Sequence, residues 1–336
     1  MAIELIEGFD LVGSNADLLA GGWSYAEGSV GVGGGRFGGN SCILGGSSAT
    51  TLSREFAFAE YICLSFWFKQ ASAILSLGEI VNIGDTADSS HSSANISIGI
   101  GLNYSGSITL DGDGGATIGT SAPSVILPQT WHHIELRGHL SGTGSGSIVV
   151  DGVEVINVPS ADFLEGTSRN FLMFTGGGAT HTLDDIVYQQ DASALPPLLG
   201  EHKIHTLFPS ADTAQADWTG AYTDIDDPIG STDGDTTYIS ATTLNANSEF
   251  DLGNLAESPT TIHAVQSSIT ARKTDAGTIG VTQYVDSNGA EGAGTEFAAA
   301  ETYATHKDVH ELNPDGSVAW TETSINALKV GVEITT

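Results

Sequence analysis

Residues 130–158 read TWHHIELRGHLSGTGSGSIVVDGVEVINV. Apolar and polar side chains alternate in the runs WHHIEL and SIVV, and Asp151-Gly152 leads the chain into a third run, VEVI. Alternation with a period of two is typical of a strand with one buried face, and Asp-Gly between two such runs is a strong hairpin signal. The stretch therefore predicts a three-stranded antiparallel meander.

Short strand-like runs recur through the first half of the chain, and no long segment has the 3.6-residue period of a helix. They lie at residues 61–69, 73–77, 80–83, 96–102, 107–110 and 117–119. Within the first of these runs, Phe66 and Phe68 share one face and Trp67 points to the other. Many short strands separated by turn residues predict a sandwich of antiparallel sheets.

Several of these motifs resemble the concanavalin A-like jelly rolls, the superfamily of laminin-G-type and legume-lectin-type domains. They are WHHIEL followed by VVDGVEV in the meander, SFWFK at 65–69 and LDDIVY at 183–188. The resemblance covers residues 1–190 and implies an all-β jelly-roll sandwich there. It implies no particular activity, because this fold hosts lectins, glycosidases and inert packing modules.

The segment 191–201, which contains Pro196-Pro197, interrupts all periodicity. Paired prolines favour an extended, stiff connection, so we predict a linker here.

Residues 202–336 are predicted to form a second, smaller β-sandwich. Runs 262–273 and 278–285 are expected to pair as a hairpin around Asp275-Ala276-Gly277, and 323–328 offers one helical turn.

This second segment also carries a resemblance. The pieces DGDTTYIS at 233–240, VQSSITARKTDAGT at 265–278 and NPDGSVAWTETSINALKVGV at 313–332 look like a C-terminal β module of virion structural proteins of tailed bacteriophages. In those proteins the module can follow a concanavalin A-like domain. The resemblance implies a place in a particle and carries no chemical motif.

The chain is strongly acidic, with 10 Lys+Arg against 41 Asp+Glu and a net charge of −31. Such a surface repels a phosphate backbone, so nucleic-acid binding is excluded as a function. The acidity favours solubility, with cation binding or a saline environment as the alternatives. No run of about 18 apolar residues predicts a membrane span. The N-terminus lacks a secretory signal, so we expect synthesis in a host cytoplasm.

Cys42 and Cys63 are the only cysteines, and each lies in or beside an apolar strand-like run. This is not the pattern of a disulfide-stapled secreted scaffold, so buried free thiols are favoured over a disulfide.

Carbohydrate binding would use exposed aromatic side chains, and the candidates are Trp23, Tyr25, Tyr104 and Trp131. The alternative for each is an anchor in the core.

Asp111 and Asp113 are the candidate ligands for calcium, the one cofactor considered, because alternate carboxylates in a glycine turn can present oxygens to one ion. A simple hairpin turn is the favoured interpretation of that loop.

Catalysis is not predicted. Adjacent strand residues face opposite ways, so His132 and His133 are not expected to share a metal, and Asp184-Asp185 is not expected to form a glycosidase pair. The Glu-x-Asp-x-x-Glu strand of glycosidases in this superfamily is absent from the sequence.

The sequence thus predicts a non-enzymatic structural protein on the exterior of a tailed-phage virion, as a tail or fibre component acting by adhesion or assembly contacts. Other virion proteins and further copies of the chain, in a trimer or ring, are the expected partners. A capsid decoration protein and a carbohydrate-binding module for a host-surface glycan are the alternatives, and a polysaccharide depolymerase is the less favoured third.

Overall fold

The computed structural model describes residues 2–23, 25–27, 30–45, 50–56, 59–71, 78–84, 96–163, 171–176, 179–227 and 233–336. Two short helices, α1 (Asn15–Ala20) and α2 (Glu322–Asn326), accompany the strands. The strands are β1 (Ala2–Glu7), β2 (Tyr25–Glu27), β3 (Val30–Gly34), β4 (Asn40–Leu44), β5 (Thr51–Glu55), β6 (Tyr61–Gln70), β7 (Gly78–Gly84), β8 (Ile96–Leu102), β9 (Ile108–Asp111), β10 (Thr117–Thr120), β11 (Trp131–His139), β12 (Gly144–Val150), β13 (Val153–Ala161), β14 (Phe171–Thr175), β15 (His181–Asp191), β16 (Pro209–Ala216), β17 (Asn247–Leu252), β18 (Val265–Ala271), β19 (Gly280–Ser287), β20 (Ala290–Ala293), β21 (Phe297–Ala298), β22 (Ala304–His310) and β23 (Leu328–Ile334). The prediction of an all-β fold is confirmed.

The first compact unit comprises Met1–Leu19 and Trp23–Ile204, and two antiparallel sheets form it. The front sheet has eight strands in the order β13-β12-β11-β6-β15-β4-β3, and β1 also pairs with β15. The back sheet has seven strands in the order β10-β9-β8-β7-β14-β5-β2. Side chains from both sheets share one core, in which the ring of Phe66 lies 5.5 Å from that of Phe174. This unit is a two-layer β-sandwich.

Strand β6 at the centre of the front sheet shows the predicted division of its side chains. Phe66 and Phe68 point into the core, whereas Trp67 lies on the opposite face. Almost every residue of β6 is buried, including those that point away from the core. Something other than the back sheet must therefore cover the outer face. The predicted run 73–77 lies outside the described residues.

The predicted meander is confirmed as β11, β12 and β13. Asp151 and Gly152 join the last two strands with φ of 48° and 77°, the positive pair that a type I′ turn requires. The carboxylate of Asp151 also braces β11, because Oδ1 accepts the backbone N–H of His133 at 2.9 Å and Oδ2 lies 2.7 Å from His132 Nδ1. His132 Nε2 accepts the N–H of Leu127, so Nδ1 is the ring nitrogen that faces Asp151 with a proton.

The second compact unit comprises Ala20–Gly22 and His205–Thr336. Its main sheet has six strands in the order β16-β17-β23-β19-β20, with β21 also on β19, and β18 and β22 form a separate two-stranded sheet. The apolar face of the main sheet includes Val285, Leu328 and Val332. Helix α2 overlaps the helical turn predicted at 323–328 but begins one residue earlier, and Ser324 N–H donates to the Thr321 hydroxyl that caps it.

The predicted hairpin between 262–273 and 278–285 is wrong. Strand β18 pairs with β22, while β19 pairs with β23, β20 and β21. Eight residues separate β18 from β19, too many for a tight turn, and β19 carries Val281 and Val285 into the core of the main sheet. Burial of that apolar face prevailed over the local turn signal.

Both cysteines are buried and free, as favoured from the sequence. Burial raises the pKa of the Cys63 thiol to about 12 and also raises that of Cys42, so both side chains stay protonated and behave as small apolar groups.

We expect Asp151→Gly to lower the free energy of unfolding by roughly 1–2 kcal/mol, because the two contacts to β11 are lost while the turn remains free of strain. Asp151→Ala should cost about 1–2 kcal/mol more, because alanine is strained at positive φ. Urea denaturation of both variants measures the difference. Asp151→Asn is the matched control, since it tolerates this φ and keeps an acceptor oxygen. Equal stability of the alanine and glycine variants would contradict the turn geometry.

Candidate functional site

The candidate site is the outer face of the front sheet, the face that points away from the core. Cross-strand pairing places polar side chains of β6, β11 and β15 next to one another there, with Ser65 opposite Glu135 and Trp67 between His133 and Asp184. These side chains are almost fully buried: Ser65 0%, Trp67 2%, His133 0%, Glu135 1%, Asp184 4% and Gln189 0% exposed. Such a concentration of buried polar groups requires hydrogen-bond partners.

A chain segment that we call the strap, residues 196–204, supplies many of these partners. The N–H groups of Leu199 and Gly200 both donate to Glu135 Oε1, at 2.8 and 3.1 Å. The Trp67 indole N–H donates to the carbonyl of His202 at 2.8 Å. Part of the predicted linker 191–201 is therefore fixed against the first unit, because its backbone satisfies side chains of the sheet.

Glu135 shows how closely the strap and the sheet depend on each other. Burial raises the pKa of its carboxyl group, and the two strap N–H groups and the Arg137 charge oppose that shift by stabilising the carboxylate. Removing the strap would expose the carboxylate to water, and removing the carboxylate would leave two strap N–H groups unpaired.

Ser65, His133 and His202 meet beneath the strap. The Ser65 hydroxyl oxygen lies 2.8 Å from His133 Nε2 and 3.4 Å from His202 Nδ1. Burial and the neighbouring His202 lower the pKa of His133 to about 3, so its ring is neutral at pH 7. A serine nucleophile would need a carboxylate on the other histidine nitrogen, yet Nδ1 of His133 has no hydrogen-bond partner among the described residues. The geometry is that of a buried strand histidine held by hydrogen bonds.

Asp184 and Asp185 depart from the strand alternation assumed in the sequence analysis. The pairing of β15 with β6 shifts register between Asp184 and Val187, and Asp185 has a φ of +46°. This bulge lets both carboxylates reach groups that cover the outer face. Asp184 Oδ2 accepts the N–H of Arg36 at 2.7 Å, and Asp185 Oδ1 accepts the N–H of Ile204 at 2.9 Å. The expectation that the two point to opposite faces is therefore wrong.

The same bulge places two acids in a poorly solvated environment. Burial raises the pKa of Asp184 to about 6, and burial together with the Asp184 charge raises that of Asp185 to about 8. Asp10 raises both values and Arg36 lowers both. Asp185 Oδ2 is buried and has no hydrogen-bond partner among the described residues. The pair is only 4% and 3% exposed, so it does not face a cleft that a saccharide could enter.

Arg36 and Phe37 form a second cover beside the strap. The guanidinium carbon of Arg36 lies 3.0 Å from the centroid of the Trp67 ring, and Phe37 approaches that ring edge-on at 6.3 Å. A Cβ atom at Gly35 would lie 2.7 Å from Asp184 Oδ2, so the preceding residue must be glycine for the Arg36 N–H to reach that carboxylate.

Three of the predicted sugar-binding aromatics, Trp23, Tyr104 and Trp131, have described side chains, and these three do not form one surface. Trp23 is a core residue, 2% exposed, and its indole N–H donates to Glu7, so it is a core anchor and does not offer its ring to a sugar. Tyr104 is 60% exposed, in the turn between β8 and β9 of the back sheet. Trp131 is half-buried on β11 of the front sheet, with Lys69 Nζ 5.5 Å from its ring. The side chain of Tyr25 lies outside the described residues.

The predicted calcium loop forms the hairpin between β9 and β10. Asp111 is 4% exposed and accepts the Thr117 hydroxyl at 2.7 Å, while burial raises its pKa. Asp113 begins a 3-10 turn. Within the described ranges, no group of three or more His, Cys, Asp or Glu side chains could hold a metal ion, so calcium binding remains a prediction.

Among the described residues, no helix has the length and apolar character to cross a bilayer.

The sequence contained a signal for this site that the linker interpretation missed. The outward-facing positions of β11 and β6 read His133-x-Glu135 and Ser65-x-Trp67 in strands that otherwise look central to the sheet. Polar outward side chains are ordinarily solvated, so the pattern alone did not indicate the strap.

We expect Glu135→Ala to release the strap locally. Leu199 and Gly200 would lose the acceptor of their N–H groups, and their amide exchange should accelerate about 10-fold or more, which corresponds to about 1.4 kcal/mol of lost protection. Hydrogen–deuterium exchange of residues 196–204 measures this. Glu135→Gln keeps an acceptor oxygen and should show a much smaller effect. Unchanged exchange in the alanine variant would mean that these bonds do not hold the strap.

Asp185 should make stability fall with pH. Its pKa is raised in the folded state, so its stabilising contribution is complete below the unfolded value of about 4 and is lost as pH rises through about 8. Asp185→Asn mimics the protonated acid, tolerates positive φ and should flatten the decline, making the variant more stable than the wild type at pH 8–9. Urea denaturation from pH 5 to 9 tests this. Glu154→Gln, at an exposed position, is the control, and a variant as steeply pH-dependent as the wild type would contradict the assignment.

Comparison with known proteins gives little beyond general likeness. No protein-family model matches the chain, and no curated protein matches it. An endo-β-1,4-glucuronan lyase from the fungus Trichoderma reesei is 12% identical, covers 56% of this chain and 96% of its own, and has a TM-score of 0.39. A mutant carbohydrate recognition domain of Emp46p is 13% identical, covers 54% and 94%, and has a TM-score of 0.38. At such scores these structures carry no argument about activity.

Proposed function

We propose that this chain is a non-enzymatic structural protein on the exterior of a tailed-bacteriophage particle, at the tail or its fibres. It works by surface contacts with other virion proteins and with further copies of itself. The observation that supports the non-enzymatic part is the strap, because its backbone covers the polar outer face of the front sheet and engages the side chains there.

The polar groups of that face are already engaged within the molecule. Glu135 accepts two strap N–H groups, Trp67 donates to the strap, and Ser65 contacts two histidines. A catalytic site needs an acid or base within hydrogen-bond reach of a substrate atom. Each of these side chains is at most 2% exposed, which leaves no room for a substrate while the strap is in place.

The placement in a virion rests on the sequence of the second unit. Three pieces, at 233–240, 265–278 and 313–332, resemble a β module of tailed-phage structural proteins, and the net charge of −31 disfavours contact with packaged DNA. An exterior position is consistent with both. A capsid decoration protein is the alternative within the same class.

Carbohydrate recognition is the second candidate function, and the observation that favours it is the exposure of Tyr104. A tyrosine that is 60% exposed at a turn can offer its ring to a sugar, because it combines an apolar face with a polar tip. Trp131, half-buried beside Lys69, is the other candidate aromatic.

Immunogold labelling of intact phage particles from a lysate that contains this chain tests the proposal. An antibody raised against the purified protein should label the tail or fibres. Label on the head surface would instead support the capsid decoration alternative. Absence of the chain from purified particles, checked by mass spectrometry, would overturn the virion assignment.

A glycan array probed with and without calcium separates the two functions. A purely structural protein should give a flat response, whereas carbohydrate recognition predicts binding that Tyr104→Ala reduces at least tenfold. Release of shortened chains from any polysaccharide on that array would contradict the non-enzymatic proposal.

A further inference from the structure

The strap and the sheet beneath it meet as two separable surfaces. Side chains of β6, β11 and β15 that contact the strap form what we call the seat: Ser65, Trp67, His133, Glu135, Asp185 and Gln189. Each contact joins one atom of the strap to one atom of the seat, so none depends on how the strap is connected to β15. The seat would therefore accept residues 196–204 of a second copy through the same contacts.

A short hinge, residues 192–195, joins β15 to the strap. The strap runs back along the sheet that β15 belongs to. Its carbonyl at Pro197 accepts a hydrogen bond from Gln189 Nε2 at 3.4 Å, and its N–H at Ile204 reaches Asp185 Oδ1 at 2.9 Å. The hinge must therefore reverse the direction of the chain over very few residues.

One side chain closes this reversal. Asp191 Oδ1 accepts the N–H of Ser193 at 2.8 Å, its hydroxyl at 2.9 Å and the N–H of Ala194 at 3.2 Å. Residues 192–194 are exposed, so water competes for these bonds. Pro196-Pro197 follows at once, and paired prolines favour an extended chain. A tight turn that depends on one acceptor and precedes a stiff extended segment is a hinge that favours exchange between copies.

The closed strap leaves buried polar atoms without partners, which lowers the cost of lifting it. His133, Asp185 and Gln189 each contact the strap. His133 Nδ1, Asp185 Oδ2 and Gln189 Oε1 are nevertheless buried and have no hydrogen-bond partner among the described residues. An unpaired buried polar atom destabilises the closed state, and water reaches such an atom once its cover is lifted. Lifting the strap is the first step of any exchange between copies, and these atoms favour it.

We propose that two copies of this chain exchange their straps, so that residues 196–204 of each copy lie on the seat of the other. Every contact between strap and seat is formed again in kind, and only the turn at Asp191 is replaced by an extended hinge. Each copy gives and receives the same segment, so the pair closes with two-fold symmetry. The inference rests on the self-association in the proposed function and names the segment that performs it. It does not depend on the virion assignment.

A disulfide between the strap and the end of β1 tests the exchange. A Cβ atom at Gly8, which follows β1, would lie 3.2 Å from Ile204 Cβ, near the Cβ separation in a disulfide. Tagged full-length Gly8→Cys chain is mixed with untagged Ile204→Cys chain under reducing conditions, in about 0.5 M salt to screen the charge of −31, and is then oxidised. We expect a covalent heterodimer on a non-reducing gel. Its absence would overturn the proposal, because straps that stay on their own seats never bring the two new cysteines together.

Random collision between copies is the alternative that the control addresses. Val153→Cys, at an exposed position on β13, replaces Gly8→Cys in a second mixture with Ile204→Cys. Its yield of heterodimer should be roughly tenfold lower, and an equal yield would overturn the exchange. The native Cys42 and Cys63 are buried and free, and both are present in each mixture.

Hinge variants change the exchange without altering the seat. Insertion of Gly-Ser-Gly-Ser after Ser193 lengthens the hinge and eases the turn, so the yield of heterodimer should fall roughly fivefold. Asp191→Ala removes the acceptor that closes the turn, so the heterodimer should form roughly threefold faster. Without added cysteines, the same variants should shift the monomer–dimer equilibrium in light scattering in these directions, which provides a readout if Gly8→Cys does not fold. Unchanged behaviour, or shifts of the opposite sign, would contradict the exchange.

Failure of this inference and failure of the proposed function give different results. Dimers in light scattering without the heterodimer would mean that copies meet through another surface. That result overturns strap exchange and leaves the proposed self-association standing. A heterodimer formed by a chain that is absent from purified phage particles would support strap exchange and overturn the virion assignment.

Discussion

Strand β6 is buried on both faces, and the first unit depends on how the second of those faces is covered. The inner face packs into the core in the ordinary way, through Phe66 and Phe68. The outer face carries Ser65 and Trp67, whose polar atoms would cost about 1–3 kcal/mol each if buried without partners. The strap carbonyl of His202 accepts the Trp67 indole N–H, and the Ser65 hydroxyl contacts the side chains of His133 and His202. The sheet and residues 196–204 therefore stabilise each other.

The sandwich itself was predictable because its signals are local. Alternation placed Phe66 and Trp67 on opposite faces, and Asp151-Gly152 fixed a turn that only residues tolerant of positive φ can make. The strap was not predictable, because Pro196-Pro197 has the composition of a spacer, and nothing local indicates that its backbone will meet Glu135. The predicted strand pairing in the second unit was wrong for the same reason, because β18 pairs with β22, a partner more than 30 residues away.

The predictions of site residues were wrong where tertiary structure overrides a local sequence pattern. Period-two reasoning assigned opposite faces to Asp184 and Asp185, and a bulge with one residue at positive φ cancelled it. Trp23 is an aromatic residue of the type that stacks on sugars, but it lies in the core.

The position of the strap also has a mechanical consequence. The polypeptide leaves the first unit at Ile204, whose N–H is held by Asp185. Any pulling force transmitted along the backbone from residue 205 reaches the strap contacts before it reaches the ladders of the sandwich. Those contacts are hydrogen bonds between the strap backbone and individual side chains of the sheet, so a pulling force would break them one after another. The strap would then extend and absorb part of the force while the hydrogen-bond ladders of the sheets stayed intact.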